Sequence, residues 1–319
     1  MYLENAISTH NKFWKYLIGS IIIVFASFIG QIPLGIAIVL KSIESKQGFP
    51  TDETKLMKML SGNLSLFLML FSFAVALLAI YLVVKYLHNQ SFLTLTTSRT
   101  RVDWKRIFFS FGVWSIFTII SVAISYFSEP ENFVMNFKPM PFLILLVISI
   151  IMIPIQTSTE EYVFRGYLMQ GFANLSMNKW FPLLMTSLIF GLLHIANPEV
   201  QKMGTITMVY YIGTGLLLGV MTLMDEGMEL ALGFHAANNL ISALLITSDW
   251  TAFQTDSILK DKSTPSAGFE IILPVFIIFP LILLIFSKKY NWSNWKEKLL
   301  GKIEINSNIK IESDEHAKL

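Results

Sequence analysis

Cysteine is absent from the 319 residues, and charged side chains are scarce. The lack of cysteine excludes disulfide bonds, a cysteine nucleophile and thiolate metal sites. Charged residues make up 14% of the chain, whereas a soluble protein of this size carries about 25%. The net charge is only +2, so no strong basic field indicates a nucleic-acid partner. These shortages exclude an ordinary soluble protein and a nucleic-acid-binding protein.

Apolar residues are abundant instead. They form 54% of the chain, including 26 Phe, and the mean hydropathy is +0.58. About 20 apolar residues cross the hydrocarbon core of a bilayer as one helix. We therefore expect an all-α, polytopic membrane bundle with about eight transmembrane helices in the cell membrane. The predicted spans are 16–40, 62–85, 106–127, 141–173, 180–197, 206–224, 229–248 and 269–287.

The loops indicate the orientation of the chain. Lys and Arg are about twice as numerous on the side that holds both termini, which predicts cytoplasmic termini. Residues 88–105, with Arg99, Arg101 and Trp104, predict an interfacial segment at the anionic cytoplasmic leaflet. The tail around Trp292 predicts an interface anchor. No cleavable signal peptide is expected, because the first apolar run is too long for one.

Two adjacent carboxylates and an arginine interrupt the fourth apolar run. Glu161 and Arg165 are i, i+4 neighbours on a helix and can pair. Glu160 points about 100° away and stays available for chemistry. Ionisable residues inside a span are costly and mark functional sites. The alternative is a helix end at the interface with both acids solvated, but the chain is again largely apolar after Arg165.

Further polar residues lie in later apolar runs. His194 follows Phe190 by one helical turn, and Asn239 follows His235 by the same spacing. Each pair has a structural alternative, namely a hydrogen-bonded buried histidine or polar contacts between helices. Together with Glu160, these residues can form one low-dielectric cavity. Glu160 and His194 could then activate a water, and His235 and Asn239 could stabilise an oxyanion.

The three motifs Glu160-Glu161-x-x-x-Arg165, Phe190-x-x-x-His194 and His235-x-x-x-Asn239 together resemble those of a known family. This is the CAAX prenyl protease and bacteriocin-processing family, also called CPBP or Abi, which includes the type II CAAX prenyl endopeptidases. The resemblance covers about residues 155–245. It implies a CPBP-type catalytic helical core at 141–250. The apolar runs predict three preceding helices within 1–140 and a last helix and tail at 251–319, which lie outside the resemblance.

The resemblance also implies roles for the site residues. Glu160, His194, His235 and Asn239 would be catalytic, with Glu161, Arg165 and Phe190 supporting them. No cofactor is expected. The chain has no H-E-x-x-H zinc signature, although Glu160, His194 and His235 could ligate one Zn²⁺ with water as the fourth ligand.

The family chemistry sets a condition on helix depth. If the fourth span ended near Thr157, Glu160 and His194 would lie near opposite membrane faces. The two can meet if the fourth span continues to about Phe172 or if the spans are offset in depth. The apolar sequence after Arg165 permits the longer helix.

The function expected from these residues is intramembrane peptide hydrolysis. The predicted substrate is a small membrane-associated or exported peptide, in bacteriocin or pheromone maturation or in self-immunity, at a bacterial plasma membrane. Two alternatives stay open. One is a non-catalytic membrane partner or regulator of the same family. The other is a proton-coupled transporter that uses Glu160 and His194 as a relay, although no paired halves are visible in the sequence.

Overall fold

The structure is a computed structural model that describes residues 2–7, 11–45, 59–265 and 268–303. It is a bundle of α-helices, and six of its helical segments are long and apolar enough to cross a bilayer. The predicted all-α polytopic membrane fold is therefore confirmed. The count of eight crossings and the cytoplasmic termini stay predictions. The charged end of the tail lies outside the described residues.

The described part of the chain contains thirteen α-helices, numbered here in chain order. Three π-helical stretches continue α2, join α5 to α6, and join α11 to α12. The helices are α1 (Phe13–Ser45), α2 (Gly62–Leu82), α3 (Phe92–Thr96), α4 (Trp104–Ser128), α5 (Pro139–Glu161), α6 (Met169–Ser176), α7 (Trp180–Leu193), α8 (Pro198–Met203), α9 (Thr207–Asp225), α10 (Glu229–Leu245), α11 (Phe269–Leu273), α12 (Phe279–Tyr290) and α13 (Trp295–Leu300).

Local sequence accounts for where the central helices begin. The Asp103 side chain accepts a hydrogen bond from the Lys105 amide at 3.0 Å and caps α4. Pro139 opens α5, where its missing N–H costs no intrahelical hydrogen bond. Apolar residues fill most of both helices, so each helix is stable only where lipid or other helices surround it.

The helices that carry the three motifs pack against neighbouring helices in the middle of the bundle. Helix α10 packs extensively on α4 and on α5, α5 also packs on α2, and α7 packs on α9. Gly233 allows the close approach of α10 to α4, because a Cβ atom there would lie 2.1 Å from the Ile107 carbonyl oxygen. Next to it, the rings of Trp114 and Phe234 are 4.2 Å apart at their centroids. Close apolar packing against α4 therefore holds α10, the helix that carries His235, in place.

Two of the predicted spans form shorter helices. The span at 180–197 ends at Leu193 after 14 residues, and the span at 229–248 ends at Leu245 after 17 residues. After Leu245 the chain turns extended and joins a small sheet, which the all-α expectation did not include. The sheet has the order β1-β3-β2, with β1 antiparallel and β2 parallel to β3: β1 is Phe133–Met135, β2 is Ile246–Ser248 and β3 is Leu259–Asp261.

Two residues of the predicted interfacial segment and tail anchor, Arg99 and Trp292, contact carboxylates inside the bundle. Arg99 pairs with Asp225 and with Glu229, both at 3.1 Å, whereas Trp104 is exposed. Trp292 is buried and donates its indole N–H to Asp225 at 3.1 Å. Arg99 and Trp292 thus share the buried Asp225 as a partner. The position of the 88–105 segment and of the tail at the membrane interface stays a prediction.

Candidate active site

One long helix carries both carboxylates. Helix α5, the π-helical stretch Tyr162–Leu168 and helix α6 form a single apolar segment of 38 residues, Pro139–Ser176. The condition that the fourth span continue past Phe172 is therefore met. A π-helical turn inserts an extra residue into the helix and shifts the side chains that follow. Glu160 and Glu161 lie just before this turn, and Arg165 lies within it.

The pair of Glu161 and Arg165 is present and fully buried. Arg165 Nη1 is 3.0 Å from Glu161 Oε1, and neither side chain has exposed surface. Arg165 Nη2 also donates to the Gly215 carbonyl oxygen at 3.1 Å. The guanidinium group lies 4.5 Å from the centroid of the Phe190 ring, a cation–π contact. Phe190 thus supports the site by covering the arginine.

In the described part of the chain, Glu160 forms no ion pair with Arg165 and keeps part of its carboxylate accessible. Its side chain is 15% exposed, in contrast to the buried Glu161. Glu160 Oε1 accepts a hydrogen bond from Gln156 Nε2 at 2.5 Å. Its other oxygen, Oε2, lies 3.6 Å from His235 Nε2. The two adjacent carboxylates therefore differ in burial and in partners.

His235 lies between the two carboxylates. Its Nδ1 atom is 2.7 Å from Glu161 Oε1, the same oxygen that Arg165 contacts. A carboxylate paired with an arginine only accepts hydrogen bonds, so His235 Nδ1 carries a proton. This contact fixes the ring orientation and leaves Nε2 pointing toward Glu160.

His194 lies beside this cluster without a hydrogen bond to Glu160 in the described part of the chain. It is the C-cap residue of α7, and its Nδ1 contacts the Phe190 carbonyl oxygen at 2.7 Å. Its ring stacks on Tyr211 at 4.4 Å. The Phe190 ring centroid is 4.7 Å from that of His194 and 6.1 Å from that of His235, so both histidines flank one phenylalanine. The direct neighbour of Glu160 is thus His235, not His194.

Asn239 reaches the same carboxylate through a residue that the sequence reasoning missed. Asn239 Nδ2 donates to Gln156 Oε1 at 3.0 Å, and Gln156 in turn donates to Glu160. The available signal was an amide at i−4 from Glu160 inside an apolar run. Tyr211, which stacks on His194, was missed because an aromatic residue in a span is usually packing.

The sequence offered Glu160, His194 and His235 as ligands of one Zn²⁺. Among the described residues, no group of three or more His, Asp or Glu side chains is arranged to hold a metal ion. Glu161 contacts Nδ1 of His235, and the Phe190 carbonyl contacts Nδ1 of His194, so each ring keeps its Nε2 atom for another partner.

Comparison with known proteins shows the family of the chain. A family model described as type II CAAX prenyl endopeptidase Rce1-like matches residues 139–241, which include Gln156 and every predicted site residue. An uncharacterized protein of Bacillus subtilis (strain 168), YyaK, is 31% identical over 243 residues, or 76% of this chain and 80% of YyaK. The chain is a membrane-embedded protein and belongs to the Rce1-like family of type II CAAX prenyl endopeptidases.

Proposed function

We propose that this protein is an intramembrane endopeptidase in which Glu160 activates the attacking water. The observation that carries the proposal is the separation of the two adjacent carboxylates. Glu161 is buried against Arg165, while Glu160 is partly exposed and has one oxygen free to act 3.6 Å from His235. A general base needs an accessible carboxylate at a fixed position, and Glu160 has both properties.

The catalytic steps follow from the donors around that carboxylate. Glu160 Oε2 takes a proton as the water oxygen bonds to the substrate carbonyl carbon. The resulting oxyanion would accept hydrogen bonds from the second N–H of Asn239 Nδ2 and from Nε2 of His235 in its imidazolium form, which takes a second proton from solvent and carries one on each ring nitrogen. The carbon–nitrogen bond then breaks as Glu160 returns the proton to the leaving amine. His194, with one ring nitrogen free of the Phe190 carbonyl, would orient the water.

The substrate in this proposal is a small membrane-associated or exported peptide at the bacterial plasma membrane. Glu160 lies on a helix long enough to cross the bilayer, so a substrate must approach within or at the edge of the lipid. The biological roles that suit such a substrate are maturation of a bacteriocin or pheromone, or self-immunity against one.

The test compares the peptides released by cells that carry the wild type or Glu160→Gln, at matched protein levels, by mass spectrometry. We expect a peptide with a defined new terminus that disappears in Glu160→Gln. Glu44→Gln is the matched control, because Glu44 is an exposed carboxylate of α1 that pairs with the exposed Lys41. It should leave the peptide unchanged.

An unchanged peptide pool in Glu160→Gln, with the cellular effect of the protein intact, would overturn the proposal. That result would favour the second function considered, a membrane partner that acts by binding. Proton-coupled uptake by the wild type in proteoliposomes that is absent in Glu160→Gln, with no peptide cleaved, would instead favour a transporter.

A further inference from the structure

A chain of four hydrogen bonds ends on the Glu160 carboxylate. It begins at Trp114 of α4, crosses two adjacent asparagines of α10, and reaches α5. Trp114 Nε1 donates to Asn238 Oδ1, and Asn238 Nδ2 donates to Asn239 Oδ1, both at 3.0 Å. Asn239 Nδ2 donates to Gln156 Oε1 at 3.0 Å, and Gln156 Nε2 donates to Glu160 Oε1 at 2.5 Å.

The direction of this chain is fixed by its two ends. An indole N–H only donates hydrogen bonds, and an ionised carboxylate only accepts them. Each amide between them must therefore accept through oxygen and donate through nitrogen. No amide can rotate by 180° without breaking two contacts. Trp114 thus determines which atom of Gln156 faces Glu160, although three hydrogen bonds lie between Trp114 and Gln156.

The first member of the chain is held rigidly. Trp114 is 4% exposed, and its ring packs on Phe117 at 4.8 Å and on Phe234 at 4.2 Å. Gln156 is 3% exposed. The two asparagines between them are half-buried. Rotating either amide would leave the buried Trp114 N–H or the buried Gln156 oxygen without its partner, and an unpaired buried polar group is costly. Trp114 also lies outside the segment that the family model matches, residues 139–241.

We propose that Trp114, Asn238 and Gln156 are positioning residues that hold Glu160 Oε1, so that Oε2 stays directed at the water and at His235. This proposal rests on the proposed function of Glu160. The chain also uses one of the two N–H groups of Asn239 Nδ2 and thereby aims the other toward the reacting carbonyl. None of the three positioning residues needs to touch the substrate.

The first arm of the test measures the chain without any catalysis. The protein, labelled with ¹⁵N-tryptophan in detergent, has seven indole N–H resonances, and the signal lost in Trp114→Phe identifies Trp114. We expect this resonance to shift upfield in Glu160→Gln and in Gln156→Leu, because a neutral or missing acceptor weakens every bond behind it. The other indoles should not move. An unshifted Trp114 signal in both variants would overturn the proposal.

The second arm measures turnover of a cleaved peptide by purified protein. Asn238→Asp keeps the size and accepts from Trp114, but an ionised aspartate cannot donate to Asn239. We expect kcat to fall about tenfold with KM unchanged, the effect of one lost positioning hydrogen bond. Trp114→Phe should act in the same direction, and the exposed Trp180→Phe is the matched control. Unfolding temperatures check that the variants stay folded.

The outcomes separate the two proposals. Wild-type kcat in folded Asn238→Asp and Trp114→Phe would overturn the positioning role, even if the indole signal responds. A different result would contradict the proposed function alone. In that case the wild type cleaves no peptide, while the Trp114 signal still shifts in Glu160→Gln.

Discussion

Arg165 Nη1 lies 3.0 Å from Glu161 Oε1, and both side chains are completely buried. The same carboxylate oxygen contacts His235 Nδ1 at 2.7 Å. Each buried charge is stable only with its partner, since removing either ion alone from water costs several kcal/mol, about the range known for buried ions. Through these side chains the long helix is joined to α10 at His235 and to α9 at the Gly215 carbonyl, and Glu160 is left as the accessible acid.

We predict that Arg165→Met lowers the free energy of unfolding by about 3–5 kcal/mol, because it leaves the buried Glu161 without its arginine. The measurement is thermal unfolding in detergent. The double variant Glu161→Gln with Arg165→Met should recover part of the loss. Glu160→Gln should unfold near the wild-type temperature, since that side chain is partly exposed. Equal losses in Arg165→Met and Glu160→Gln would contradict this division between a structural and a reactive carboxylate.

A second prediction concerns the contact between α10 and α4. A Cβ atom at Gly233 would lie 2.1 Å from the Ile107 carbonyl oxygen, whereas a Cβ atom at Gly112 meets nothing within 4 Å. Gly233→Ala should therefore separate the helices and lower the free energy of unfolding by about 1–3 kcal/mol. Gly112→Ala should be neutral or slightly stabilising, because alanine favours helices.

The measurement for both glycine variants is the unfolding temperature together with peptide cleavage. Cleavage should fall in Gly233→Ala, since α10 carries His235 and Asn239. If Gly233→Ala were as stable and as active as Gly112→Ala, the close packing of α10 on α4 would not be needed for the site.

A third prediction concerns the buried His88, which contacts Tyr167 in the π-helical stretch Tyr162–Leu168. Its Nδ1 contacts Asn11 Oδ1 at 3.0 Å, and its Nε2 contacts the Tyr167 hydroxyl at 2.9 Å. Burial, with a smaller contribution from the charge of Lys15, lowers the pKa of His88 to about 4. The unfolded chain has the ordinary pKa near about 6.5.

Between about pH 6.5 and 4 the unfolded state binds more protons than the folded state at this histidine, so stability falls as the pH is lowered through that window. We expect His88→Gln to be less stable than the wild type at pH 7 but to lose less stability on acidification to pH 4. The measurement is thermal unfolding across this range. Parallel losses in the two proteins would show that His88 does not control the acid sensitivity.

Several features of the site could be predicted from the sequence because they depend on neighbours along one helix. The i, i+4 spacing was enough to predict the ion pair of Glu161 and Arg165, and the structure confirms it. The apolar stretch after Arg165 permitted the long helix, and it is present as Pro139–Ser176. Periodicity also separated Glu160 from Glu161. Such local relationships follow from helix geometry alone.

Other features needed the tertiary structure, because they join residues far apart in the chain. The sequence grouped Glu160 with His194, His235 and Asn239, and the packing of α10 on α5 brings His235 Nε2 to 3.6 Å from Glu160 Oε2. Gln156 became visible only through its contacts with Asn239 and Glu160.

The sequence by itself determined that this protein is a membrane-embedded helical bundle and which polar residues interrupt its spans. Composition and apolar run length suffice for that, since a bilayer admits only helices or closed barrels. Only the tertiary structure decided which polar residues meet. The reason is physical: contacts between helices depend on their depth, rotation and close approach, as at Gly233, and these are set by side-chain packing rather than by spacing along the chain.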